Sequence, residues 1–196
     1  MSFTIKKVYY FDAPCKKNTD DCIRFARERV KELGIQKVVV ASTSDKTARK
    51  VLQGLEGTGL SLIVVTHVVG FSEPVIWEFD TDTKEALERA GARIITGTHL
   101  LSGFERSPSR SPRMGGGSRT EAIAEALRRI VAVGLKVAVE CVLIATDQEI
   151  LSPMEEVIAI GGTMSGADTV CVIRPSHTAS FFDLQMREIV AMPRNR

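Results

Sequence analysis

Lys37-Val38-Val39-Val40-Ala41-Ser42-Thr43-Ser44-Asp45-Lys46-Thr47-Ala48-Arg49 joins an unbroken apolar run to a polar turn and then to a helical pattern. A run of β-branched residues with no polar alternation is what a strand buried on both faces requires, and such strands belong to parallel sheets covered by helices. The turn that follows therefore sits at the carboxyl end of a strand, where helix amino termini direct their free N–H groups and where open α/β sheets bind ligands. Capping a helix needs one hydroxyl or carboxylate. Here six polar residues, 42–47, stand in a row. Hydroxyls, amides and the compact charge of Lys46 match a phosphate group. The GxxxxGK[ST] spacing of a Walker loop is absent. Asp45 has to face away from any anion bound there.

Working outward from this turn, 8–11 reads as a strand and Thr19–Leu33 as a helix whose apolar face is Cys22, Ile23, Phe25, Ala26, Val30 and Leu33, closed by Gly34 as a left-handed cap. A helix is expected over 46–55, a strand over 62–66, a helix over 83–90 ending at Gly91, and a strand over Arg93–Thr96. A helix over 119–133 opens with a capping box of Ser118 and Glu121 and ends at Gly134. Strands are then expected over 137–145, 157–160, 170–173 and 189–192. Strand–helix alternation followed by strand-rich sequence indicates an α/β fold. The expected architecture is three-layered, a mainly parallel sheet with antiparallel edge strands, in one domain over 1–196.

The composition sets bounds. The chain has 196 residues, 44% hydrophobic and 26% charged, with a net charge of +2. That balance gives no field for nucleic acid or a membrane surface, and no apolar run reaches the ~20 residues that span a bilayer. The opening Met1-Ser2-Phe3-Thr4-Ile5 carries no leader pattern, so a cytoplasmic location is expected. Cys15, Cys22, Cys141 and Cys171 lack metal or dithiol spacing, and His67, His99 and His177 form no ligand pair, so no metal site is expected.

Two further segments are candidates. The loop 97–118, with Arg106, Arg110, Arg113 and three consecutive glycines before Arg119, is either a lid or disordered. The glycine-rich 161–166 reads as a tight turn between strands. No hydrolase, zinc-protease or dinucleotide motif appears.

The run 38–49 resembles the strand–loop–helix of the carboxyl-terminal domain of pyruvate kinase, whose loop holds a phosphate of a sugar bisphosphate. The runs 62–66, 168–173 and 189–193 are similar to its following strand and its closing antiparallel pair, with 175–182 in place of its effector-loop turn. Thr43 and Asp45 stand where that loop has lysine and glycine. The segments 98–103, 118–127 and 166–175 resemble a small family of stand-alone, mostly archaeal proteins with this domain. A catalytic barrel of roughly 250 residues does not fit, so pyruvate kinase activity is not expected. The resemblance implies the pyruvate kinase carboxyl-terminal-like fold, binding of flavin mononucleotide, FMN, and a homodimer by analogy. The expected ligand is a phosphorylated small molecule or mononucleotide. Its phosphate would lie on Ser42, Thr43, Ser44, Lys46 and Thr47, and its ring near Thr66, His67, Thr98, His99 and Leu101. The alternatives are an enzyme acting on a phosphorylated metabolite through His99 or Glu105, and a regulatory subunit of a larger enzyme.

Overall fold

The computed structural model describes residues 3–195. Seven strands form one sheet in the order β1-β7-β6-β5-β2-β3-β4. They are β1 (Tyr9–Phe11), β2 (Lys37–Ala41), β3 (Ser61–Thr66), β4 (Arg93–Thr96), β5 (Val157–Gly161), β6 (Thr169–Arg174) and β7 (Gln185–Pro193). β5, β2, β3 and β4 are parallel, β6 runs against both β5 and β7, and β1 closes that side in parallel with β7.

β2 is an interior strand, next to the central β5, and its residues bury on both faces. Val38 and Val40 pack with α1 (Thr19–Leu33), α2 (Asp45–Leu55) and α3 (Thr81–Arg89), while Val39 packs with α6 (Val133–Asp147) on the opposite side. The result is three layers, with an apolar core on each side of the sheet. Gly34 adopts φ 68° at the end of α1, the left-handed cap its position foretold.

The main correction concerns 137–145, expected as a strand and found inside α6. Twelve of the 15 residues of α6 are buried, so it has no polar face, and periodicity cannot separate such a helix from a buried strand. Gly134 consequently does not end a helix; it lies in the first turn of α6. A Cβ on Gly161 of β5 would overlap the Gly134 carbonyl oxygen, so both glycines serve close contact between helix and sheet. The expected helix 119–133 is α5 (Arg119–Ala126) followed by a π-helical turn, Leu127–Val131. Half of its capping box forms: the Ser118 hydroxyl accepts from the Glu121 amide at 3.1 Å, while the Glu121 carboxylate accepts from Ser109 at 2.8 Å. The loop 97–118 carries a short helix, α4 (Arg106–Arg110).

The connection 175–182 lies away from 42–47. β6 is antiparallel to β5, so its carboxyl end, with this connection, opens at the amino ends of the parallel strands. There the Thr178 amide donates to Asp147 at the far end of α6. The turn that shares a rim with 42–47 is 162–166.

Candidate functional site

β2, β3, β4 and β5 all point their carboxyl ends at one cavity of 450 Å³. Residues 42–44, Lys46 and Thr47 line one side, with Thr66, His67, Gly97 and His99 from the next two strands. The glycine-rich turn contributes Gly162, Met164, Ser165 and Gly166, and α6 contributes Val133, Val137, Glu140, Cys141 and Ile144. Eight of the ten residues expected at the site thus share this cavity. Thr98 and Leu101 do not line it: Thr98 is exposed on the outside of its turn, and Leu101 is turned into the core.

Two of the expected hydroxyl ligands are committed to the protein. The Ser42 hydroxyl donates to the Ser44 carbonyl and accepts from the Ala48 amide at 3.1 Å. The Ser42 amide donates to Val65 at 3.0 Å. The Thr66 hydroxyl donates to the Thr43 carbonyl at 3.2 Å. These bonds tie the turn to α2 and β3 and fix its shape. What they leave open is the amide row 43–47: among the described residues no protein atom accepts from any of these five N–H groups. The side chains of Thr43, Ser44 and Thr47 are also without protein partners, and Lys46 has no carboxylate partner, among the described residues. Asp45 faces away, bonded to Arg49 at 2.6 Å and absent from the cavity wall.

The opposite end of the cavity is organised by Glu140, which is 1% exposed. Its carboxylate accepts from His99 Nδ1 at 2.7 Å, from the Leu101 amide at 2.9 Å and from the Lys136 ammonium. Burial pushes its pKa up, but the His99 hydrogen bond and the Lys136 charge outweigh this and hold it at about 2. Lys136, 1% exposed, is lowered by burial against the pull of Glu140. His67 repeats the pattern with Glu78 at 3.0 Å, and its pKa is lowered, burial outweighing the carboxylate. The two imidazole rings lie 5.1 Å apart, with Phe71 against both.

Glu140 and Lys136 were invisible as site residues because 137–145 reads as a strand; Glu at 140 and Lys at 136, one helical turn apart in an apolar stretch, were the available signal. Glu105 and the arginines of 97–119 do not line the cavity; Arg106 lies over the Phe71 ring at 5.2 Å. Burial pushes the Cys141 thiol up to about 12, which disfavours the thiolate.

Among the described residues no helix is long and apolar enough to cross a membrane, and no three metal-ligating side chains gather.

In comparisons of structure, a pyruvate kinase from Cryptosporidium parvum is similar at TM-score 0.43 and 11% identity, over 81% of this chain and 23% of that one. The Cryptosporidium parvum pyruvate kinase in complex with ADP gives 0.42 and 11%, over 81% and 24%. The chain thus spans about a quarter of the length of these enzymes. The model of the pyruvate kinase alpha/beta domain matches residues 20–173, a span from the start of α1 to the end of β6. The chain belongs to the pyruvate kinase alpha/beta domain family.

Proposed function

We propose that the chain binds a phosphate-bearing mononucleotide, its phosphate on residues 43–47 and its ring toward α6. The observation that carries this reading is the free amide row at the start of α2, in a cavity that α6 lines with Val133, Val137 and Ile144 beside Glu140. The amide row concentrates the positive end of the helix dipole, Thr43, Ser44 and Thr47 add hydroxyl donors, and Lys46 adds a charge. The volume is within the ~300–1,000 Å³ range of small-molecule sites. Val133, Val137 and Ile144 offer a surface for a flat ring.

FMN fits this division into a polar cradle and an apolar wall, and is the member of the class to test first. When bound it would supply two-electron redox chemistry; residues 43–47 would hold its phosphate. Ser42 and Thr66 act one step behind, by fixing the turn.

Calorimetry tests the reading. FMN is expected to bind the wild type, and Lys46→Ala to weaken binding about 10-fold, the loss of one charge-assisted bond at an exposed site. Absence of heat with FMN and with inorganic phosphate would remove the proposal.

A further inference from the structure

We infer that His67 and His99 read the edge of the bound ring as a pair of hydrogen-bond acceptors, selecting mononucleotides that present N–H donors there. The inference rests on the mononucleotide site proposed above and specifies which rings it takes. In each residue Nδ1 faces a carboxylate, Glu78 at 3.0 Å and Glu140 at 2.7 Å. A carboxylate can only accept, so Nδ1 carries the hydrogen in both rings and the neutral imidazole has a bare lone pair at Nε2.

Neither Nε2 has a protein partner among the described residues, and neither is among the buried polar atoms left without one, so both are open to a ligand. Both rings line the cavity, edge to face with their centroids 5.1 Å apart. The supports behind them are rigid. Glu140 is buried among three donors, and the Trp77 indole donates to the His67 carbonyl at 3.0 Å. A buried ion pair such as Lys136–Glu140 is poor value as a source of stability. Here it fixes a tautomer. The ligand class is therefore a nucleoside monophosphate or FMN with an imide or similar N–H on its outer edge.

The test compares FMN with its imide-methylated analogue, which keeps the phosphate and ring but lacks the donor. Methylation is expected to weaken binding to the wild type roughly 10- to 100-fold, the cost of an unpaired acceptor. In His67→Phe/His99→Phe, which retains ring volume, the two ligands are expected to bind alike. Discrimination by the wild type should shrink from about pH 8 to about pH 5, as protonation of His67 turns its Nε2 from acceptor to donor. The groups facing the His67 imidazole are Glu78, the His99 ring and the guanidinium of Arg106. Equal affinity of the wild type for both flavins would overturn the inference while leaving the cradle intact. So would discrimination that survives in the double variant. If neither FMN nor inorganic phosphate binds, the cradle itself fails and this inference fails with it.

Discussion

His99 Nδ1 donates to Glu140 Oε2 at 2.7 Å, across 41 positions of sequence. This bond joins the turn after β4 to the middle of α6 and makes one wall of the cavity. Its cost is set by the burial of Glu140 beside Lys136, with side chains 2% and 1% exposed.

Removing one partner of that pair leaves the other charged and buried. Glu140→Ala is expected to destabilise by about 3–5 kcal/mol, measured by urea denaturation. The double change Lys136→Met/Glu140→Leu removes both charges and should cost clearly less than Glu140→Ala alone. Additive losses would show that the two groups do not interact.

Acid should loosen the same region. Glu140 is held at about 2 against an ordinary 4.5, so its contribution is present above about pH 4.5 and disappears as the pH falls toward about 2. His67 has a folded value below its ordinary 6.5. The unfolded chain therefore takes up that proton first, and stability declines as the pH drops below 6.5. Chemical denaturation across pH 7 to 3 is expected to show falling stability throughout, with a shallower slope near pH 6 in His67→Asn.

The contact between α6 and β5 depends on having no side chain there. Gly161→Ala places a methyl group on the Gly134 carbonyl of α6, a backbone atom that cannot swing aside. The expected loss is about 2–3 kcal/mol, at the upper end of overpacking costs, seen as a fall in melting temperature.

How far the sequence disclosed these features depends on the local pattern. The 37–49 run announced a strand buried on both faces and its polar turn because β-branched burial and a cluster of hydroxyls are both local signals. Its structure follows that reading, down to Asp45 turning toward Arg49. α6 was hidden because Val137 to Ala145 has no polar face to reveal a helical period, and with it went Lys136 and Glu140. The role of 162–166 was hidden too. Its glycines read as a plain turn between strands, and only the strand order brings them to the rim of the cavity. Ser42 and Thr66 both line the cavity, but composition cannot tell a ligand hydroxyl from one that ties a turn together.

That tying role is itself testable. Ser42→Ala removes the acceptor of the Ala48 amide, a buried bond, and should destabilise by about 1–2 kcal/mol. Phosphate affinity should fall as well, although in the wild type this hydroxyl is committed to Ser44 and Ala48. Unchanged stability would mean that the turn is held by other contacts.

The proposed phosphate cradle is tested most directly by amide nitrogen–proton spectra of the protein titrated with inorganic phosphate. The amide signals of residues 43–47 are expected to move together and saturate, with those of β6 and α3 unmoved. Saturating shifts elsewhere with none at 43–47, or no saturating shift at all, would contradict the assignment of this turn as an anion site.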